Sequence, residues 1–325
     1  MKYQKNKKGD YNLTYNVVSL FSGAGGMDLG FVNQGFKIVW ANDFNKSACE
    51  TYKNNFGDHI VCGDITQIKS EDIPDCDIVI GGSPCQGFSV ANRQTGFLDN
   101  PKNFLVKEFI RVVKDKKPKV FVLENVPQII TVGNGKFIKE IINTLNEYNI
   151  SVKVLNAADY GVPQKRKRCI VIGSLVGKIN LPEPTQLNYI TIEQALQGLH
   201  NEIPNQKDIA NSSETVRNRF KQVPQGGNWK NIKEFEGKYK HSILYRRLSL
   251  DETCFTFPHA AKNLIIHPTE DRILSIRECA RILSFPDDFV FHGGLNDKYQ
   301  QVANAVPPLM AEAIAKEIKN VFNEY

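Results

Sequence analysis

The sequence predicts an α/β fold with a doubly wound, mostly parallel sheet and a second, smaller domain. Short apolar runs rich in valine and isoleucine alternate with helical stretches through the first half of the chain. Strands that alternate with helices need right-handed crossovers, which cover both faces of an open sheet. A glycine loop, acidic residues and polar motifs follow successive runs. Ligands bind at the carboxyl ends of the strands in such sheets, so these residues are the candidate site.

Seven runs are predicted to be strands because they are short, apolar and rich in β-branched residues. They cover residues 17–20, 38–40, 59–62, 78–80, 120–123, 152–155 and 169–172. Amphipathic spacing predicts helices over residues 45–55, 104–114, 273–283 and 309–322.

Changes in composition and periodicity divide the chain into four parts. Residues 1–16 are polar and lysine-rich, and we expect a disordered tail there. The alternation of strands and helices occupies residues 17–180 and ends near Leu181-Pro182-Glu183-Pro184. Residues 181–271 have weak periodicity and are predicted to form the second domain, after which residues 272–325 return to pack on the first.

Composition narrows the class of protein. The chain has 325 residues with 41 lysines and arginines against 35 acids, a net charge of +6 and a pI of about 8.8. This suits a polyanionic partner, although an ordinary basic enzyme has the same balance. Seven cysteines without a Cys-x-x-Cys pair indicate reduced thiols and no structural zinc. No apolar run can span a bilayer and the start is no signal peptide, so we expect a cytoplasmic protein.

The first predicted strand ends in the glycine loop Phe21-Ser22-Gly23-Ala24-Gly25-Gly26. Backbone N–H groups of such a loop can approach a nucleotide-like ligand. Asp28 occupies the position of the third glycine in the dinucleotide fingerprint, so NAD is disfavoured. Asp43 follows the second strand, where an acid can bind both ribose hydroxyls, and Asp64 follows the third. An acid at such a position is more often a helix cap or a solvated loop residue. A glycine loop and two acids at three consecutive strand ends nevertheless predict a nucleoside pocket. The candidates to stack on its base are Phe21, Trp40 and Phe44.

Cys85 follows the fourth strand in Gly81-Gly82-Ser83-Pro84-Cys85-Gln86. A lone cysteine is usually a small buried hydrophobe. Polar neighbours and a turn at a strand end instead indicate a presented nucleophile, whose thiolate a helix N-terminus or an arginine would favour. Residues 86–102 have little apolar periodicity and are predicted to be a mobile lid, with a surface loop as the alternative.

Glu124 and a basic run supply candidate acid and anion-binding groups. Glu124 ends an apolar run, where poor solvation can raise its pKa and make it a proton donor; a helix cap is the alternative. Arg166 and Arg168 belong to Gln164-Lys165-Arg166-Lys167-Arg168, before the last predicted strand. Alternate residues of a strand share a face, so both can converge on a phosphate or a base.

The order of these motifs resembles that of the DNA (cytosine-5)-methyltransferases, most closely the bacterial restriction-modification type. The resemblance covers nearly the whole chain and includes residues 272–287 and 301–307. Ala303 stands where family members usually have glycine, and its methyl group would crowd the cofactor slightly. Ser83 stands where proline is common, which leaves Pro84 and Cys85 in place.

The resemblance implies S-adenosylmethionine as cofactor, no metal, and a cytosine flipped out of duplex DNA beneath the lid. Residues 17–180 would be the catalytic domain and residues 181–271 the target-recognition domain. Cys85 would attack carbon 6 of the cytosine and Glu124 would donate a proton to nitrogen 3. Arg168 would hold the exocyclic oxygen, and Arg166 would bind phosphate or order the acid. The implied cofactor contacts are Phe21, Gly23, Ala24, Gly25, Asp43, Phe44, Asp64, Ile65, Pro84, Leu105, Asn304 and Val306.

The second domain has its own signal for double-stranded DNA as partner. Residues 215–247 carry nine basic residues against two acids, with five aromatic residues among them. This bias favours phosphate binding, although a solvated basic face is the alternative. Gln225-Gly226-Gly227-Asn228 can enter a groove as a loop. We expect a monomer that shares its DNA site with a restriction endonuclease.

Three other functions stay open. Cys254-Phe255-Thr256 matches a transfer-RNA-methylating branch that resembles this family, which makes RNA methylation the runner-up. An inert DNA-binding protein with this fold would not need Cys85, Glu124 and Arg168. An NAD-dependent oxidoreductase leaves Cys85 and the basic stretch unexplained.

Overall fold

The computed structural model describes residues 3–5, 11–83, 104–238 and 243–324. The strands within these residues are β1 (Tyr3–Lys5), β2 (Tyr11–Leu13), β3 (Asn16–Leu20), β4 (Lys37–Asp43), β5 (Ile60–Cys62), β6 (Ile78–Gly82), β7 (Val120–Asn125), β8 (Asn149–Asn156), β9 (Gln164–Lys165), β10 (Lys167–Ser174) and β11 (Cys254–Phe255). The helices are α1 (Gly26–Asn33), α2 (Lys46–Phe56), α3 (Phe104–Lys116), α4 (Lys136–Thr144), α5 (Ile192–Leu196), α6 (Glu214–Phe220), α7 (Ile276–Ile282), α8 (Leu295–Asn304) and α9 (Pro308–Glu324).

A central sheet contains seven strands in the order β5-β4-β3-β6-β7-β10-β8. The first five are parallel, whereas β10 is antiparallel to both β7 and β8. The predicted mostly parallel sheet is confirmed, and each predicted strand corresponds to one of its members. Because β10 runs in the opposite direction, its first residues lie at the same edge as the last residues of β3, β4, β6 and β7.

Both faces of the sheet are covered, because its central strands are apolar on both sides. On one face, buried residues of α1, α2 and α9 pack against alternate residues of the strands, such as Val17 and Ile78. On the other face, α3 and α4 pack against Val18, Val79 and Phe121. This two-sided packing is the doubly wound arrangement predicted from the alternation of strands and helices.

Helix α1 lies directly against α9. A Cβ atom on Gly30 would lie 2.5 Å from the backbone nitrogen of Glu312, and one on Gly26 would lie 2.3 Å from the carbonyl oxygen of Val306. Glycine at both positions therefore lets α1 and the segment around α9 approach this closely.

A third buried cluster contains Ala24 of the glycine loop and residues between 192 and 305. It therefore joins the predicted second domain to part of the segment that was predicted to return to the first domain. It includes Phe220, Phe257, Ile276, Phe285 and Tyr299. Residues 273–302 thus contribute to this cluster, and α9 packs on the sheet. The strand β11 connects the two regions by pairing in parallel with β9. The four-part division of the chain remains a prediction.

Residues 1–16 were expected to form a disordered tail, and the structure pairs part of them as an antiparallel hairpin. In this hairpin β1 and β2 are joined by the register Tyr3 to Leu13 and Lys5 to Tyr11. Within the described ranges, no helix is long and apolar enough to cross a membrane.

Candidate active site

A cavity of about 620 Å³ lies where the carboxyl ends of β3, β4, β6 and β7 meet the start of β10. This is the edge at which parallel α/β sheets bind ligands. The cavity brings together ten of the residues predicted for the site, namely Phe21, Gly23, Ala24, Asp43, Phe44, Glu124, Arg166, Arg168, Asn304 and Val306.

The glycine loop is shaped by left-handed backbone angles and by bonds to β4. Gly23 has φ of 56°, and its backbone N–H donates to Oδ2 of Asp43 at 2.9 Å. A Cβ atom on Gly23 would meet no atom within 4 Å, so this part of the loop borders open space. Gly25, with φ of 92°, is the N-cap residue directly before α1. The loop therefore presents its backbone and the start of a helix to the cavity.

Asp43 ends β4 and is buried against the loop. Its Oδ2 accepts the Gly23 N–H, and its Oδ1 accepts the backbone N–H of Asn45 at 2.8 Å. Burial raises the pKa of Asp43, and these backbone hydrogen bonds act against the rise. Each carboxylate oxygen keeps a lone pair after these bonds, so Asp43 can still accept from a ligand hydroxyl.

The structure places the three aromatic candidates for base stacking in different environments. Phe44 is 65% exposed and lines the cavity, as does the partly buried Phe21. Trp40 is buried in the cluster against α3 and α4, so the interpretation of Trp40 as a stacking residue is wrong. A tryptophan in a buried strand contributes its area to the core.

Glu124 and Arg168 form a largely buried ion pair at the ends of β7 and β10, on the side of the cavity away from the glycine loop at the end of β3. The Arg168 Nε lies 2.8 Å from Oε1 of Glu124, and their side chains are 15% and 11% exposed. Burial raises the pKa of Glu124 above its ordinary value, although the guanidinium groups of Arg168 and Arg166 act against the rise. A Cβ atom on Gly82 would lie 2.9 Å from Oε2, so the second carboxyl oxygen faces the strand that leads to Cys85.

Arg166 is almost completely buried, with 2% exposed. Its Nη2 donates to the carbonyl oxygen of Ala303 at 2.8 Å, which ties the arginine motif to the end of α8. Its Nε makes no hydrogen bond with the described part of the chain. Burial and the charge of Arg168 lower the pKa of Arg166 to about 9. Arg166 therefore remains a cation at neutral pH and faces the cavity with a donor to spare.

The residues before the predicted nucleophile are fixed to β7. Ser83 is buried, and the Asn125 side-chain amide donates to its carbonyl oxygen at 3.1 Å and to its Oγ at 3.2 Å. Pro84 and Cys85, together with residues 86–103, lie outside the described residues.

Four predicted cofactor residues do not line this cavity. Gly25 lies beneath the loop, where a Cβ atom would clash with Phe56 at 2.3 Å. Asp64 is exposed, and its Oδ1 accepts the Thr66 N–H at the start of a short 3-10 helix. Ile65 and Leu105 pack in the cluster against α3 and α4.

Asp28 is a cavity residue that was interpreted in the sequence only as a mismatch to the NAD fingerprint. It lines the cavity and has no exposed area. Its Oδ1 accepts the hydroxyl of Tyr52 at 2.8 Å, and its Oδ2 has no hydrogen-bond partner among the described residues. The sequence did contain a signal for this role, because Asp28 is an acidic residue at a position where the dinucleotide motif has a glycine.

The basic stretch over residues 215–247 contains structural residues as well as exposed charges. Arg247 is buried, donates to four backbone carbonyl oxygens and forms an ion pair with Asp271 at 2.6 Å. Three of its aromatic residues, Phe220, Phe235 and Tyr245, are core residues. Their interpretation as part of a nucleic-acid surface is therefore wrong. The exposed cations among its described residues are Arg217, Lys221, Lys230, Lys233 and Lys238.

The third cluster also contributes a wall of the cavity. Thr256 follows β11, and its Oγ1 donates to the carbonyl oxygen of Lys165 at 2.5 Å. Phe257 and Pro258 line the cavity beside it. In the part of the chain that is described, no group of three histidine, cysteine or acidic side chains could hold a metal ion.

Comparisons with known proteins agree on one family. The sequence profile described as C-5 cytosine-specific DNA methylase matches residues 15–320. The type II methyltransferase M.NgoFVII of Neisseria gonorrhoeae is 39% identical, over 95% of this chain and 87% of its own. M1.HphI of Haemophilus parahaemolyticus is 38% identical, also over 95% of this chain and 87% of its own.

Solved structures share the fold. A prophage-encoded E. coli protein, whose structure is described as that of a DNA modification methyltransferase, has a TM-score of 0.79 and 27% identity. The alignment covers 95% of this chain and 100% of that one. The structure of the S. pombe Dnmt2 methyltransferase has a TM-score of 0.69 and 18% identity. The alignment covers 95% of this chain and 99% of that one, and at this identity it supports the fold alone.

The profile match spans nearly the whole chain, and the relatives are aligned over most of their own length. The resemblance found in the motifs is thereby confirmed. The chain belongs to the C-5 cytosine-specific DNA methylases and is a DNA cytosine-5 methyltransferase of the type II restriction-modification class.

Proposed function

We propose that this enzyme flips a target cytosine out of duplex DNA and methylates its carbon 5 from S-adenosylmethionine, with Cys85 as the nucleophile. The observation that carries the proposal is one cavity that joins the glycine loop to the Glu124–Arg168 pair. Ser83, two residues before Cys85, lies in the same cavity.

The described residues fit the proposed cofactor. Gly23 borders open space, which leaves room for the polar end of the cofactor beside the start of α1. Phe44 offers an exposed ring for the adenine, and Asp43 can accept from the ribose hydroxyls. When bound, S-adenosylmethionine supplies a methyl group on a positively charged sulfur.

Cys85 is proposed to form a bond from its sulfur to carbon 6 of the cytosine while Glu124 donates a proton to nitrogen 3. The electron pair of the 5,6 double bond then becomes available at carbon 5. With S-adenosylmethionine bound, carbon 5 would use this pair to take the methyl group, and the pair of the broken sulfur–methyl bond would stay on the cofactor sulfur. Loss of the carbon 5 proton to solvent then re-forms the 5,6 double bond and expels Cys85 as a thiolate, while the proton on nitrogen 3 returns to Glu124. Covalent geometry supports this role, because two residues span at most about 7 Å between the Cα atoms of Ser83 and Cys85.

Glu124 suits the role of proton donor because burial raises its pKa. Arg168 holds one carboxyl oxygen and leaves the other directed toward Gly82. Arg168 is also proposed to hold the exocyclic oxygen of the base, and Arg166 to keep this wall in place through Ala303. A base stacked in a duplex cannot reach a carboxyl group this deeply buried, which supports base flipping.

Further parts of the proposal concern the setting of the enzyme. We expect it to act on one short DNA sequence, because its relatives are type II methyltransferases. The exposed cations of the basic stretch can contact phosphates. A cytoplasmic monomer that protects DNA from a restriction endonuclease of the same specificity fits this setting.

The first test is bisulfite sequencing of genomic DNA from a host without cytosine-5 methylation that expresses the wild-type chain or Cys85→Ser. We expect protected cytosines in one recurring context with the wild type and none with Cys85→Ser, because a hydroxyl is a much poorer nucleophile near neutral pH. Cys76→Ser is the matched control, since Cys76 packs outside the cavity.

Two results would contradict the proposal. Full protection by Cys85→Ser would exclude Cys85 as the nucleophile. Transfer of labelled methyl to transfer RNA, with no protected cytosine in DNA from folded wild-type protein, would replace the proposed substrate by RNA.

A further inference from the structure

Asp28 carries a buried carboxyl group that the proposed reaction does not use. It is the third residue of α1, has no exposed area, and lines the cavity beside Ser19 and Met27. The hydroxyl of Tyr52 donates to Oδ1 at 2.8 Å, while Oδ2 receives no hydrogen bond from the described residues. A buried carboxyl oxygen without a donor is costly, so its place in the lining of this cavity points to a ligand that compensates it.

The surroundings of Asp28 are anionic. Asp43 lines the same part of the cavity, and its charge acts on Asp28. Both oxygens of Asp43 accept backbone N–H groups, which are uncharged donors. Across the cavity, by contrast, Glu124 is paired with Arg168. The cavity therefore has an anionic side near the glycine loop, where the described residues leave two buried carboxyl groups without a cationic partner.

We infer that Asp28 determines the charge preference of the cofactor site, so that the site favours the cationic sulfonium of S-adenosylmethionine over the neutral thioether of S-adenosylhomocysteine. The inference rests on the proposed function and extends it. The two compounds have the same α-ammonium, carboxylate and nucleoside groups, and they differ by one methyl group and one positive charge. The ratio of their affinities therefore isolates the effect of the sulfonium charge. Attraction between the Asp28 carboxylate and the sulfonium needs no direct contact, because a buried charge is only weakly screened.

The preference serves turnover because transfer of the methyl group removes the positive charge from the bound compound. The thioether product then gains nothing from Asp28 and leaves an uncompensated carboxylate behind. Asp28 would thus favour binding of the donor and release of the product, which is a role in specificity rather than in the chemical step.

The preference also depends on pH. Burial raises the pKa of Asp28 to about 6, while the hydrogen bond from the Tyr52 hydroxyl favours the charged form. The nearby Ser19 hydroxyl favours it less, and it makes no hydrogen bond to Oδ2. The titratable groups that face it are Asp43, Tyr52 and His59, whose Nε2 lies 3.2 Å from the Tyr52 hydroxyl. The pKa of His59 is lowered and that of Tyr52 is raised, so both stay neutral between about pH 7 and pH 8. Affinity for S-adenosylmethionine should fall as the pH drops through about 6, while affinity for S-adenosylhomocysteine should change less.

The experiment is calorimetric titration of the full chain with each compound at several pH values. Asp28→Asn should weaken S-adenosylmethionine binding about tenfold or more near pH 8, with little change for S-adenosylhomocysteine. Tyr52→Phe removes the hydrogen bond that favours the charged form of Asp28. The affinity of this variant for S-adenosylmethionine should therefore begin to fall at a higher pH than that of the wild type. Asp58→Asn is the matched control, since the Asp58 side chain is 93% exposed.

Each outcome decides between the explanations. Equal loss of both affinities in Asp28→Asn would make Asp28 a structural residue and overturn the inference. An unchanged pH dependence in Tyr52→Phe would overturn it as well, and this variant serves if Asp28→Asn does not fold. Failure of the wild type to bind S-adenosylmethionine would overturn the proposed function itself.

Discussion

Replacing Asp28 by asparagine should stabilise the folded chain at neutral pH relative to acid pH, although it removes a group from the cavity. The carboxyl group is buried, and only Oδ1 has a hydrogen-bond donor among the described residues. Asparagine keeps the shape and the acceptor for Tyr52 but carries no charge. The variant therefore removes the electrostatic cost of ionising a buried carboxyl group.

The magnitude follows from the pKa of Asp28, which burial raises from 3.8 to about 6. A raised pKa means that the folded chain holds the proton more tightly than the unfolded chain. This contribution to stability is fully present below about pH 4 and is lost as the pH rises through about 6. The complete loss is about 3 kcal/mol, of which about 1.4 kcal/mol falls between about pH 5 and pH 8.

The assay is urea unfolding of the wild type and Asp28→Asn at about pH 5 and pH 8. The free energy of unfolding of the variant relative to the wild type should rise by about 1.4 kcal/mol between the two pH values. Amide hydrogens of the asparagine that lack an acceptor cost the same free energy at both pH values, so this cost cancels in the difference between them. Asp58→Asn should show no such change. A constant difference between Asp28→Asn and the wild type would refute a raised pKa at this position.

Two other substitutions test the opposite wall and the third cluster. Gly82→Ala places a methyl group 2.9 Å from Oε2 of Glu124, so kcat should fall about tenfold or more while calorimetric affinity for S-adenosylmethionine stays the same. A parallel loss of affinity would show a wider distortion. Arg247→Met leaves four carbonyl oxygens and Asp271 without their donor and should lower the free energy of unfolding by about 3–5 kcal/mol in urea. Arg246→Met is its control, because the partly exposed Arg246 stacks on Phe255, and an equal loss there would contradict the assignment.

The strands of the sheet could be predicted from the sequence because each is a short apolar run of β-branched residues. The direction of β10 could not, since an apolar run reads the same in either orientation and only pairing with β7 and β8 decides it. That direction matters for function, because it brings Arg168 to the edge where Glu124 ends β7.

Long-range contacts were also invisible in the sequence. Arg166 and Arg168 were expected to point the same way and to converge on a phosphate or a base, because alternate residues of a strand share a face. In the structure, Arg168 pairs with Glu124, whereas Arg166 donates to the carbonyl oxygen of Ala303. The partner of each guanidinium depends on segments that are distant along the chain.

The errors in the prediction concern burial. Trp40 and Arg247 belong to types that also occur in ligand and phosphate sites, and the sequence gives their chemistry without their surroundings. Trp40 is buried in the cluster against α3 and α4, and Arg247 is buried among backbone carbonyl groups of other segments. Both environments form only when segments that are separate along the chain pack together. Asp28 was not predicted as a site residue for the same reason, since the lack of a hydrogen-bond partner at its Oδ2 is a property of the fold.

The contact between α1 and α9 has a consequence for the synthesis of the enzyme. Gly26 and Gly30 follow the first strand of the sheet, yet they pack on Val306 and Glu312 near the other end of the described chain. A nascent chain on the ribosome therefore holds the glycine loop and the Glu124 motif long before the segment that completes their cavity emerges. Non-local contacts of this kind form late and slow folding. Methylation activity should appear only after α9 has been synthesised and can dock on the sheet.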